Sequence, residues 1–103
     1  SLNNLAALYQ AQGQYAQAEP LYQRSLGIME RTLPAVHPDR LRTLGNLARL
    51  YLSGDTPSLA LPHLLTLLDG SVQSNGLYAA YSLWSIEQLA RLHTHLNHPA
   101  EAT

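Results

Sequence analysis

Leu2, Leu5, Ala6, Leu8 and Tyr9 recur at intervals of three and four residues, the spacing that gathers side chains on one face of an α-helix. Gln12-Gly13-Gln14 breaks that pattern, and a second run, Tyr15, Ala18, Leu21, Tyr22, Leu26 and Met29, resumes it. The two runs together predict a helix hairpin with a tight turn. A second hairpin follows. Its first helix is expected to start near Pro38-Asp39 and to stop at Ser53-Gly54. Its partner opens at Asp55-Thr56-Pro57, where a capping side chain precedes a proline at the first helical position, a place that needs no amide donor. A further helix can open as early as Gly76 and run to about Leu96, before Asn97-His98-Pro99 restarts a partner. Pro20 and Pro62 fall inside the partner helices, and a kink or a tight first turn is expected there.

The pattern is a repeat. Leu2-Asn3-Asn4-Leu5-Ala6-Ala7-Leu8-Tyr9 returns as Leu44-Gly45-Asn46-Leu47-Ala48-Arg49-Leu50-Tyr51, identical at six of eight places and displaced by 42 residues. Ile86-Glu87-Gln88-Leu89-Ala90-Arg91-Leu92-His93 lies another 42 residues on. The partner helices correspond as well, Ala18-Glu19-Pro20-Leu21 with Ala60-Leu61-Pro62-His63. The expected organisation is a single domain with repeat one over 1–42, repeat two over 43–84 and a partial third over 85–103. A hairpin of this size cannot bury its apolar face alone, so neighbouring units must stack, with Ala6, Ala18, Ala48, Ala60 and Ala90 allowing close approach. Stability is then a sum of unit and interface terms, and two complete units with half a third should be marginal.

Leu2-x2-Leu5-Ala6-x2-Tyr9, then Gly13, Tyr15 and Ala18-x3-Tyr22, resembles the tetratricopeptide repeat. The 42-residue interval and the stretches LNNLAALY, QGQYAQAEPLYQRSL and HPDR are similar to the repeats of kinesin light chains and their bacterial relatives. The likeness weakens along the chain. Tyr15 becomes Pro57 and then Pro99, Tyr22 becomes Leu64, and His37-Pro38-Asp39 becomes Ala79-Ala80-Tyr81. The resemblance implies an all-α, right-handed helix-turn-helix solenoid, two complete repeats plus the first helix of a third. It also implies a concave groove, lined by the first helices, that binds a peptide or protein segment.

Mapped onto this chain, the groove set is Asn3, Asn4, Ala7 and Gln10 in the first unit, Arg42, Asn46, Arg49 and Ser53 in the second, and Trp84, Gln88, Arg91 and His95 in the third. Half of the six Arg residues thus share a surface with the single Trp. Arg presents a rigid fork to carboxylates, Asn and Gln pair with extended backbone, and Trp supplies an apolar anchor. The expected ligand is an extended segment with acidic and apolar side chains. The alternative is that these Arg residues are simply solvated and Trp84 is core packing. A second candidate contact is a stripe, because Glu19 and Gln23 of the first unit are replaced by Leu61 and Leu65, four residues apart. That stripe either meets another chain, including a second copy of this one, or is buried under the third helix through Leu77, Tyr78 and Tyr81.

Composition narrows the remaining classes. With 103 residues, six Lys plus Arg, seven Asp plus Glu and no cysteine, the chain is one small domain of near-neutral charge without disulfide, thiol nucleophile or thiolate metal site. The cations are all Arg and form no run, which argues against nucleic acid. No stretch suggests a membrane segment. The chain begins within an apolar-periodic pattern, without a basic leader, and reads as a piece of something longer, with a cytoplasmic setting as the default. His93, His95 and His98 lie close in sequence, but only His95 and His98 could share a site and no carboxylate completes a ligand set, so neither metal nor other cofactor is expected. No nucleophile-base pair, paired carboxylates or Gly-rich phosphate cradle is visible, so the chain does not read as an enzyme. The runner-up to a free interaction module is an architectural or regulatory segment whose groove packs against its own chain.

Overall fold

The structure, a computed structural model, describes residues 2–54 and 56–97, with side chains described as far as Thr94. It consists of five α-helices: α1 (Leu2–Ala11), α2 (Tyr15–Thr32), α3 (Pro38–Ser53), α4 (Ala60–Val72) and α5 (Ala79–Asn97). No strand occurs among the described residues. The chain is all-α, as the three-and-four spacing of its apolar positions requires.

Each turn has a local cause. Gly13, at φ +78°, ends α1 by donating to the Gln10 carbonyl at 3.0 Å, while Gln14 N–H reaches the Tyr9 carbonyl at 2.8 Å. That pair of bonds closes a helix end around a left-handed residue, a conformation that glycine adopts without strain from a Cβ. Between α2 and α3, Pro38 occupies the first helical turn and His37 caps it, its Nδ1 accepting the Asp39 N–H at 3.1 Å. Both ends of α3 fall where the sequence places them.

Two boundaries differ from expectation. Thr56 makes no side-chain cap bond, and Pro57–Leu59 form a 3₁₀ turn before regular helix begins at Ala60; Asp55 lies outside the described residues. The tightening expected near Pro62 is this turn. Its tighter hydrogen bonding, Leu59 N–H to Thr56 O at 3.1 Å, brings the chain into α4 so that Pro62 falls in the first α-helical turn, where no intrahelical donor is needed. Pro20, by contrast, sits inside α2, which runs as one helix from Tyr15 to Thr32. The fifth helix begins at Ala79 rather than Gly76. Asn75 and Gly76 are both left-handed, at φ 56° and 88°, and a right-handed helix cannot begin until the chain has left that region.

Helices adjacent in sequence pack on one another, α1 on α2, α2 on α3, α3 on α4 and α4 on α5, while α1 touches α3 more sparingly. This is the contact pattern of a one-dimensional array. The core runs through its middle, where Tyr22, Leu41, Leu44, Leu47, Leu64 and Leu67 are buried. Of the small residues expected at helix contacts, Ala6, Ala18, Ala48 and Ala60 are fully buried, whereas Ala90 is exposed. Polar links join the layers. Asn3 Nδ2 donates to Thr43 Oγ1 at 2.9 Å between α1 and α3, and the hydroxyls of Ser71 and Ser82 meet at 2.6 Å between α4 and α5.

Candidate functional site

The first helices α1, α3 and α5 carry the residues mapped to the groove, and the structure places them unevenly. Asn3 is half-buried and its amide is engaged by Thr43, whose own hydroxyl donates to the Asp39 carbonyl at 2.9 Å. It is therefore a link between repeats. Gln10, also mapped there, accepts the Tyr22 hydroxyl at 2.8 Å. Asn4 and Ala7 are exposed on α1, and Asn46 and Gln88 are half-buried on α3 and α5. The side chain of His95 lies outside the described residues.

Arg42, Arg49 and Arg91 are all exposed. Arg42 pairs with Asp39 at 3.2 Å and Arg91 with Glu87 at 2.6 Å, each within its own helix. Arg49 does something different. Its guanidinium lies 5.8 Å from the centre of the Trp84 ring, across from α3 to α5. Trp84 is half-buried, one side against the core. It is thus both a packing residue and a partner to a cation, where the sequence offered these as alternatives. A cation held over an indole at an exposed site contributes about 0.5–1 kcal/mol, enough to bias a rotamer and too little to lock it.

Leu61 and Leu65 are exposed on α4, with Val72 further along the same helix. Leu77, one of the residues that could have covered them, is itself exposed, while Tyr78 and Tyr81 pack against the core. Among the described residues no group of three His, Asp or Glu side chains could hold a metal. His93 is exposed, and His98 lies outside the described residues. No described helix is long and apolar enough to cross a membrane.

One feature escaped the repeat pattern. An open cleft of about 480 Å³ lies where the start of α2 meets the end of α3, lined by Tyr15, Glu19, Leu50, Tyr51, Ser53 and Thr56 among others. Periodicity orders residues along one helix face and carries no information about the gap between two repeats. Tyr51 anchors its floor: Gln23 Nε2 donates to its hydroxyl at 2.9 Å, and His63 stacks on its ring at 5.5 Å and 15°. Burial, joined by the neighbouring Glu19 carboxylate, raises the Tyr51 pKa against the lowering effect of the Gln23 bond. Burial likewise lowers that of His63, with Glu30 pulling weakly the other way.

The His63 shift has a sign. Its folded pKa lies below the unfolded value of about 6.5, so the unfolded chain takes up the proton first. Stability from this group is fully present above the unfolded pKa and is lost as pH falls through the folded one. Thermal midpoints between neutral pH and pH 5 should therefore decline, and His63→Phe, which keeps a ring on Tyr51, should flatten that decline. An equal slope in the variant would remove His63 as its cause.

The family model for the tetratricopeptide repeat matches residues 1–64, more than half of the chain. The chain belongs to the tetratricopeptide repeat family. Tetratricopeptide arrays are in general non-catalytic protein-interaction and scaffold modules that bind proteins or peptides. No curated protein and no solved structure matches the chain.

Proposed function

We propose that the first-helix face of this tetratricopeptide array, in the 42-residue register that resembles kinesin light chains, binds an extended peptide segment bearing acidic and apolar side chains. The observation that carries the reading is the meeting of Arg49 on α3 and Trp84 on α5, 5.8 Å apart, with the cation exposed and the ring half-buried. A carboxylate approaching Arg49 would find an apolar surface beside it. That is the combination of anchor and charge on which protein interfaces concentrate their affinity.

Arg42 and Arg91 are exposed cations on the same two helices, seven residues before Arg49 on α3 and seven after Trp84 on α5. Their present partners, Asp39 and Glu87, are exposed, and ion pairs of that kind contribute about 0–1 kcal/mol. A ligand carboxylate can replace them at little cost. Asn46 and Gln88, half-buried between the cations, offer amides to an extended backbone. Asn3 contributes through position only, since its amide already holds α1 to α3.

A peptide array varying acidic and apolar content tests the reading. Wild type should retain acidic–apolar peptides, and Arg49→Ala combined with Arg91→Ala should weaken those hits by about tenfold, the loss expected when charge-assisted hydrogen bonds are removed from a binding surface. A pattern of hits left unchanged by both substitutions would exclude this face.

A further inference from the structure

We propose that the cleft between the start of α2 and the end of α3 takes the cationic head of a lysine or arginine side chain carried by a partner segment. The inference rests on none of the groove arginines. Its chemistry is opposite to theirs.

Two sources of negative charge border the cleft. Glu19 is half-buried in its wall, and none of the ion pairs among the described residues includes it. The C-terminal end of α3 lies beside it. A helix ends in unpaired carbonyls equivalent to about half a negative charge, which a basic residue in the last turn commonly neutralises. The last turn of α3 contains no basic residue. The Gly54 N–H takes up the Tyr51 carbonyl at 3.2 Å, and Leu50, Tyr51, Ser53 and Gly54, the residues of that helix end, line the cleft.

The remaining walls suit an organic cation better than an anion or a metal. Tyr15 is half-buried at the edge, an aromatic surface on which a guanidinium or ammonium can rest. The Tyr51 hydroxyl is held in place by Gln23 at 2.9 Å, next to Glu19. An anion would meet the carboxylate and the helix end with no cation to receive it, because no basic side chain is among the described residues that line the cleft. A hard metal ion would need several oxygen ligands, and Glu19 is the one acidic side chain among the described lining residues. The volume of about 480 Å³ leaves room for the aliphatic stem of the side chain as well as its head.

The test is a titration of ¹⁵N-labelled protein with the blocked tripeptides acetyl-Gly-Arg-Gly-amide and acetyl-Gly-Lys-Gly-amide, with acetyl-Gly-Gln-Gly-amide as the neutral comparison. The cationic peptides should shift backbone amides of residues 15–19, 50–54 and 56 in a saturable way, with dissociation constants of about millimolar, as small ligands of one charged group show. Glu19→Gln, nearly isosteric, should weaken them by about fivefold, and added salt should do the same. Arg49→Ala should leave them unaltered, which separates this site from the groove. The same spectra report whether each variant is folded. Equal binding of the neutral peptide, unchanged affinity in Glu19→Gln, or shifts confined to other helices would overturn the proposal.

Discussion

Gly70→Ala is expected to destabilise the protein by about 1–3 kcal/mol, the range for forcing atoms into a packed interior. A Cβ at this position would stand 2.7 Å from the Ala35 carbonyl oxygen and 2.9 Å from Leu41 Cδ2. Neither neighbour can yield easily. Ala35 belongs to the connection between α2 and α3, which is held by His37 N–H to Pro34 O at 3.0 Å and by Arg40 Nη1 to Leu33 O at 3.0 Å. Leu41 is fully buried. Gly27→Ala supplies the contrast, because a Cβ there meets nothing within 4 Å and the residue lies inside α2. That substitution should stabilise by about 0.5–1 kcal/mol through lower backbone entropy in the unfolded chain. Urea denaturation of both variants checks the pair. A neutral Gly70→Ala would mean that α4 does not press on the α2–α3 connection.

Leu47→Ala should cost about 2–5 kcal/mol, whereas Leu5→Ala, the same position one repeat earlier, should cost less than about 1 kcal/mol. Leu47 is 0% exposed and Leu5 is 42% exposed, although the surrounding sequence is nearly identical. What differs is the neighbourhood. Helix α3 has α2 ahead of it and α4 behind it, whereas α1 is packed chiefly by α2. The same logic separates Leu44, at 2%, from Ile86, at 53%, on α5. In a one-dimensional array the energetic weight of a residue follows its place in the stack rather than its letter in the repeat. Equal losses for Leu47→Ala and Leu5→Ala would contradict that arrangement.

The helices were largely legible because a face that must be buried imposes a spacing. The limits of α3 could be read from Pro38 and Gly54, and the end of α1 from Gly13. The opening of α4 was less legible, since the 3₁₀ turn over Pro57–Leu59 depends on how the chain leaves α3 rather than on a cap side chain. The start of α5 was read too early, at Gly76, since the left-handed backbone of Asn75 and Gly76 delays the helix to Ala79. For the candidate site, spacing places Arg49, Asn46 and Arg42 on one helix and Trp84, Gln88 and Arg91 on another. It cannot say that Arg49 meets Trp84, or that Asn3 is held by Thr43, because both are contacts between separate helices. The cleft beside Tyr51 was invisible for the same reason.

If the face carrying Arg49 and Trp84 receives an acidic–apolar segment as proposed, Trp84, the single tryptophan, stands in it as a reporter. The most direct measurement titrates such a peptide into the protein while following Trp84 emission. A saturable change in wild type, shifted to about tenfold higher peptide concentration by Arg49→Ala with Arg91→Ala in a variant of unchanged helicity, is the predicted result. Tight binding with Trp84 emission unaffected, or equal affinity in the doubly substituted protein, would contradict it.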